Sequence, residues 1–239
     1  MVNSLFFPEV DSSIPTNTEL WRVATKTANT YNSYLTMDML FRYFPSVSFN
    51  GKYMTLFHQG TNSSNEGFSV VLKNYSAGDT DISIGILTKS GTGNWTELSG
   101  SFVNLNSIGN INTDGYYIMF QYNYSGNNKI INFYVVTFNN STSKTAPDFS
   151  FETTTGPSIG TTSLNQWGFG SLPQALPKEA NTTDGMYGYN NTNNYNGFIA
   201  QNVQVLYLRT WNPSTLIPST STTDGTYAMF NTNTNTNRS

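Results

Sequence analysis

Apolar and polar residues alternate with a period of two along much of this chain. The clearest case is "YLTMDMLFRYF", residues 34–44, where Leu35, Met37, Met39 and Phe41 fall on one face. Successive side chains of a strand point to opposite faces of a sheet, so this pattern predicts a β-strand. The 3.6-residue period of an amphipathic helix is nearly absent from the sequence.

Other segments share this alternation and are separated by turns rich in Asn, Gly, Ser and Asp. The further predicted strands are "YMTLFHQG" (53–60), "GFSVVLKN" (67–74), "DISIGILT" (81–88), "YYIMFQYN" (116–123), "KIINFYVVTF" (129–138), "NQWGFGSL" (165–172) and "TYAMFN" (226–231). Many short strands with such turns are typical of an all-β, antiparallel β-sandwich, here as a single domain. The polar stretches 139–163 and 174–196 are long for free coil, so we expect them to make contacts.

An apolar strand lies unusually late in this polar chain, in "NVQVLYLRTW", residues 202–211. Strict alternation would place Val203, Val205 and Tyr207 on one side and the leucines between and after them on the other. Since both sides are apolar, we predict a closing strand that is covered on both faces.

Taken in order, several segments resemble the concanavalin A-like lectin and laminin-G-like jelly-roll superfamily. "TLFHQG" followed by "GFSVVL" is similar to a strand pair of that family, and "TDGYYIMFQYNYSGNNKIINFYVV" is similar to its long hairpin. "NVQVLYLRTWNPSTL" resembles its closing strand. The resemblance covers about 34–216. It implies a lectin-like sandwich there, after an N-terminal arm and first strand (1–33) and before a C-terminal strand and Asn/Thr-rich tail (217–239).

The departures from that family limit what the resemblance implies. The hairpin begins Gly115-Tyr116-Tyr117 where the family usually has Trp-His, and no strand carries the paired carboxylates of the related glucanases. A fold of this kind does not by itself imply sugar binding.

Composition narrows the classes of function. Charged residues make up 10% of the chain and the formal net charge is -3, against roughly 25% charged residues in an ordinary soluble domain. No basic cluster favours nucleic acid or an anionic membrane. The chain has no cysteine, and "MVNSLFFPEVDSS" lacks the basic start of a secretory signal. We therefore expect no membrane insertion and a virion protein assembled in the host cytoplasm, the alternative being an extracellular protein.

Catalytic chemistry finds little support in the sequence. His58 is the only histidine, and no nucleophile elbow accompanies it. We interpret it as a hydrogen-bonded histidine at the rim of a sheet. The 14 acidic residues are spread thinly, whereas glycoside hydrolysis needs two carboxylates close together. We expect no enzyme activity, no catalytic residues and no cofactor.

Calcium is the one ion that the sequence leaves open. Asp79 and Asp81 flank Thr80 at a strand entrance and are weak calcium candidates, although a solvated turn is the favoured interpretation. "Thr-Asp-Gly" occurs three times, at 113–115, 183–185 and 223–225. Asp-Gly is a common turn pair, so these are interpreted as turns rather than calcium loops.

Exposed aromatic rings among amides are the features that bind sugars. The segment "DGMYGYNNTNNYNG" is one such region, and other Gly/Asn-rich stretches add tryptophans. The residues expected to contact a glycan or a partner are Tyr187, Tyr189, Tyr195, Trp95 and Trp167. The alternative is that the tyrosines pack on the sandwich or on a neighbouring subunit.

The sequence leaves two functions open. The first is a non-enzymatic structural component of a virus particle: a capsid, fibre or surface decoration protein. Its partners would be other copies, other particle proteins or host glycans. It is favoured by the low-charge, cysteine-free chain and its low-complexity tail "NTNTNTNRS". The alternative is a free-standing carbohydrate-binding lectin.

Overall fold

The structure is a computed structural model. It describes residues 5–7, 23–26, 34–44, 53–60, 67–74, 81–89, 96–125, 128–138, 146–156, 166–169 and 203–211. The predicted strand 226–231 and the polar stretch 174–196 lie outside these ranges.

Two antiparallel sheets make up this part of the chain. One has six strands in the order β1 (Leu5–Phe7), β13 (Val203–Trp211), β3 (Tyr34–Tyr43), β9 (Gly115–Ser125), β10 (Asn128–Phe138) and β11 (Phe149–Thr153). The other has seven, in the order β2 (Val23–Lys26), β12 (Gln166–Phe169), β4 (Tyr53–Gly60), β5 (Gly67–Asn74), β6 (Ile82–Lys89) and β7 (Thr96–Glu97), with β8 (Val103–Asn104) also paired to β6. The predicted fold class, an all-β antiparallel β-sandwich, is confirmed.

The strands arise where the alternation predicted them. β4 and β5 have the predicted bounds, and β9 and β10 form the predicted hairpin, paired from Gly115 with Phe138 to Ser125 with Asn128. Such a ladder puts every second side chain of both strands on the same face. One short helix, α1 (Leu105–Ile108), follows β8, and no helix of the described residues is long and apolar enough to cross a membrane.

Aromatic side chains join the two sheets. The ring of Phe68, from β5, lies 5.3 Å from the ring of Phe120 and 4.5 Å from that of Tyr122, both on β9. Phe41 and Tyr116 lie side by side with their rings 5.8 Å apart. Pairs in this distance range contribute about 0.5–1.5 kcal/mol each beyond the area they bury. The high aromatic content of the chain therefore supplies the centre of the sandwich.

A β-bulge changes the predicted facing of the closing strand. The register of β13 against β3 shifts between Val205 and Tyr207. Val203 and Val205 share one side, as predicted, and that side is the core, but Leu208 rather than Tyr207 packs there with them. One extra residue reverses the alternation beyond a bulge, so the predicted placement of Tyr207 and Leu208 is wrong. None of residues 203–208 is exposed, in agreement with a strand covered on both faces.

Several strands escaped the sequence analysis. β11 lies inside the stretch 139–163, which reads as a polar connection, and residues 1–33, expected to hold an arm and one strand, contain both β1 and β2. Strands β7 and β8 have two residues each. Segments this short do not stand out in the sequence, and their pairing with a neighbouring strand defines them.

Candidate functional site

Most of the residues expected to contact a glycan lie outside the described ranges. These are Tyr187, Tyr189, Tyr195 and Trp95. Trp167 belongs to β12, where it pairs with Thr25 of β2 and Gln59 of β4. The glycan-binding role of all five residues therefore stays a prediction.

Of the two calcium candidates, the structure describes only Asp81. Asp79 is outside the described ranges, and Asp81 is exposed and accepts a hydrogen bond of 3.5 Å from the Asn106 side chain. No group of three or more His, Cys, Asp or Glu side chains in the described part of the chain could hold a metal ion.

The first "Thr-Asp-Gly" segment is a turn, as interpreted. The carboxylate of Asp114 accepts hydrogen bonds from the Asn110 backbone N–H at 2.9 Å and from the Thr113 hydroxyl at 3.0 Å. Burial, together with the negative charge of Asp114, raises the pKa of the adjacent Tyr116. The carboxylate thus closes its own turn, which is the usual role of Asp at such a position. The other two segments lie outside the described ranges.

The six-stranded sheet carries polar residues on its outer face, the face directed away from the core. Asp38 of β3 is 1% exposed and accepts a hydrogen bond of 2.6 Å from the hydroxyl of Tyr117 on β9. One row along, Gln121 donates to the Thr36 hydroxyl at 3.4 Å and accepts from Asn132 at 3.5 Å. These hydrogen bonds run across three strands, so buried amides and hydroxyls satisfy one another laterally.

The seven-stranded sheet is also buried on its outer face over its middle strands. The residues with this facing and at most 5% exposure are Thr55, His58, Ser69, Val71, Ser83, Leu87 and Lys89. Antiparallel sheets commonly leave one face to solvent. Here the middle strands of both sheets are instead buried on both faces.

His58 is central in this second face. It lies on β4, paired with Ser69 of β5 and Gly168 of β12, and is fully buried. The interpretation of His58 as a rim histidine is therefore wrong, because β12 covers the side of β4 that the sequence left open. Burial lowers the pKa of His58 from 6.5 to about 3, since the charged imidazolium would lose its hydration.

One charged cluster lies at the exposed end of the seven-stranded sheet, and we call it the Lys73 cluster. The ammonium of Lys73 forms an ion pair with Glu97 and lies 5.6 Å from the ring centre of Tyr53 and 5.7 Å from that of Phe102. Tyr53 donates to Glu97 at 2.5 Å. Burial raises the pKa of Glu97, but the hydrogen bonds from Lys73 and Tyr53 and the charge of Lys73 outweigh it, so the pKa lies below its usual value. The cluster fastens β7 to β4 and β5.

Side chains at the perimeter of the sandwich are exposed to solvent, as β11 shows. On β11 the outward residues Ser150 and Glu152 are exposed, although Glu152 accepts a hydrogen bond of 3.0 Å from Tyr134. The outer face is thus closed over β3, β9 and β10 and open at β11. Among the described residues, the surfaces available to a partner are the strand edges and the adjoining turns. The sequence did not predict these buried outer faces. Alternation distinguishes the apolar side of a strand from its polar side, but it does not show whether the polar side is exposed to solvent.

No protein-family model matches the chain, and no curated protein matches it. Among solved structures, a heptameric SAP-like pentraxin from Limulus polyphemus is similar at 10% identity, with a TM-score of 0.47 over 86% of this chain and 74% of that one. The CBM2 module of the evolved Dit of Lactobacillus casei BL23 phage J-1 is similar at 10% identity and a TM-score of 0.45, over 82% of this chain and 70% of that one. Tailspike protein 2 of an Escherichia coli O157:H7 bacteriophage matches at 13% identity and a TM-score of 0.42, over 64% of this chain and 19% of that one. No functional argument follows from likenesses of this size.

Proposed function

We propose that this chain is a non-enzymatic structural component of a virus particle, a capsid, fibre or surface decoration protein that makes its contacts through the perimeter of the sandwich. The observation that carries the proposal is the burial of both sheets on both faces over their middle strands. A sugar that binds on a sheet needs an open face with rings and hydrogen-bonding groups. Such a face is lacking over β3, β9 and β10 and over β4, β5 and β6.

The polar composition of the chain supports the same function. With 10% charged residues, the surface offers mainly amides and hydroxyls, which make wet contacts without the cost of removing charges from water. Many identical copies packed side by side need such contacts over a large area, and no single one has to be strong.

The test is co-purification. Particles produced by the genome that encodes the chain are banded on a density gradient, and the chain is quantified by mass spectrometry against the most abundant particle protein. We expect a constant ratio across the particle peak that resists washing in 1 M salt. A ratio that falls with each wash, or a chain that stays at the top of the gradient, contradicts the proposal.

A glycan array with the isolated chain distinguishes the lectin alternative. Saturable binding that is lost in Tyr187→Ala and Tyr189→Ala variants, from a chain missing in the particles, would favour the lectin. Phe variants at the same two positions are the matched control, because they keep a ring able to stack on a sugar.

A further inference from the structure

β11 is the last strand of the six-stranded sheet in the described part of the chain, and β10 is its neighbour there. Its five residues alternate, with Phe149, Phe151 and Thr153 half-buried and Ser150 and Glu152 exposed. The two phenylalanines pack against the core but keep part of their surface exposed. An edge strand of this kind presents backbone N–H and C=O groups and apolar side chains that a further strand can cover.

We propose that β11 pairs antiparallel with β11 of a second copy of this chain, about a two-fold axis through Phe151. In this register Phe151 lies opposite Phe151, and Phe149 lies opposite Thr153, so the core side continues across the axis. On the outer side, Ser150 of each copy lies opposite Glu152 of the other. The hydroxyl of Ser150 can donate a charge-assisted hydrogen bond to the carboxylate of Glu152 across such a pair.

The other two-fold registers bring unfavourable residues together. An axis through Glu152 places the Glu152 side chains of the two copies opposite each other. An axis through Ser150 places Glu152 of one copy opposite Asp148 of the other. Both registers bring like charges together. An axis through Phe149 sets Phe151 against Pro147, which has no N–H to donate. Registers centred between residues pair an outward side chain with an inward one. An axis through Thr153 leaves Thr153 as the only β11 residue that faces β11 of the other copy. The axis through Phe151 is therefore the register that this sequence favours.

The size of the contact sets its strength. A ladder of five residues per copy belongs to the small interfaces, below roughly 1,200 Å² of buried surface, which are weak and transient. We expect a dissociation constant in the micromolar range or weaker. Where many copies are held close together, the effective concentration reaches roughly millimolar values, and such a contact is then occupied. The pairing goes beyond the proposed function, because it would hold for a free lectin as well and is measured without particles.

Cysteine cross-linking tests the register directly, because the chain contains no cysteine of its own. Ser150→Cys and Glu152→Cys chains are made separately, mixed and oxidised gently. Opposite Cα atoms of an antiparallel pair are about 4.5–5.5 Å apart, inside the range of a disulfide. Two cysteines at position 150 would face each other diagonally, at about 7–8 Å. We expect dimers to form at least tenfold faster in the mixture than in either variant alone.

The matched control is a mixture of Ser150→Cys with Thr96→Cys, since Thr96 is also exposed but lies on the other sheet. Cross-linking in the Ser150→Cys and Glu152→Cys mixture that is no faster than in this control would overturn the proposal. Faster cross-linking of Ser150→Cys with itself would also overturn it, because that result means another register.

Charge substitution supplies an independent measurement. Ser150→Glu puts two like-charged pairs across the axis, whereas Ser150→Lys puts two opposite-charged pairs there. Position 150 is exposed, so both variants should fold, which circular dichroism checks. By sedimentation equilibrium at 0.05 M salt we expect dimerisation about fivefold weaker for Glu and about fivefold tighter for Lys. A shift in the same direction for both variants, or none for either, refutes the pairing.

Discussion

Between pH 7 and pH 5, acid should destabilise this protein mainly through His58. In the folded chain the pKa of His58 is about 3, because the residue is buried, whereas in the unfolded chain it has the ordinary value of 6.5. Above pH 6.5 the imidazole is neutral in both states and contributes nothing to the pH dependence. Below pH 6.5 the His58 imidazole binds a proton in the unfolded chain but stays neutral in the folded chain. The free energy of unfolding therefore falls as the pH falls.

The magnitude follows from the two pKa values. Each pH unit between them costs about 1.36 kcal/mol, so the complete loss, reached near pH 3, is about 5 kcal/mol. Carboxylates also begin to titrate below pH 5, which makes the upper part of the range the useful one. Between pH 7 and pH 5 the loss from His58 alone is about 2 kcal/mol.

The assay is urea unfolding followed by tryptophan fluorescence at 25 °C, at pH 7.0, 6.0 and 5.0 and constant ionic strength. The comparison is the wild-type chain against His58→Gln, which keeps a polar group of similar size but does not titrate. We expect the wild type to lose about 2 kcal/mol and the variant less than about 0.5 kcal/mol over this range. His58 is the only histidine, so no second imidazole can mask the difference. Equal losses in the two proteins would refute the reasoning, since the wild-type loss would then come from other groups.

Three further predictions concern single contacts, each measured as a change in the free energy of unfolding. Gly85→Ala should cost about 1–3 kcal/mol, because a Cβ at this position would lie 2.4 Å from the Phe102 ring. Tyr117→Phe should cost about 1–3 kcal/mol, because the buried carboxylate of Asp38 loses a hydrogen bond of 2.6 Å. Lys73→Met should cost about 1 kcal/mol at low salt, and less in 1 M salt, where the ion pair of the Lys73 cluster is screened.

Each of these predictions has a matched control. Gly85→Ala should cost much less in a Phe102→Ala background, and an unchanged cost would mean that the ring is not the obstacle. Tyr134→Phe gives up a bond to the exposed Glu152, so it should cost less than about 1 kcal/mol; a cost equal to that of Tyr117→Phe would contradict the argument from burial. A Lys73→Met effect independent of salt would assign it to packing alone.

The fold could be predicted because alternation and turn residues are local signals. The alternation predicted β3, β4 and β5 directly, and the number of such strands indicated an antiparallel sandwich. The bulge at β13 was not visible, since an extra residue leaves no mark in the sequence until the pairing with β3 is known. β11 escaped for a related reason: "FSFET" is too short and polar to stand out, and its pairing with β10 defines it.

The candidate functional site was harder to predict than the fold, because it depends on which strands are neighbours in each sheet. The sequence predicts His58 at the rim of a sheet, because it does not show that β12 lies beside β4. β12 comes more than one hundred residues after His58 in the sequence. The expected glycan contacts were chosen for their composition, and composition does not say whether a tyrosine faces a sugar, a subunit or its own chain. A site built from residues that are distant in the sequence can be predicted only when the strand order is known.

The burial of polar outer faces also explains the composition of the chain. A strand buried on both sides usually reads as a continuous apolar run, yet β3 alternates Thr36 and Asp38 with Met37 and Met39. The polar positions are tolerated because the residues beside them on β9 supply matching groups: Gln121 for Thr36 and Tyr117 for Asp38. A threonine or asparagine costs little in such a face when its row is complete, whereas an apolar replacement would leave the neighbouring amide without a partner. The richness in Asn, Thr and Ser is therefore not a property of the surface alone. It also belongs to the outer face of the six-stranded sheet, where hydrogen-bonded rows over β3, β9 and β10 form a second layer of buried contacts outside the apolar core.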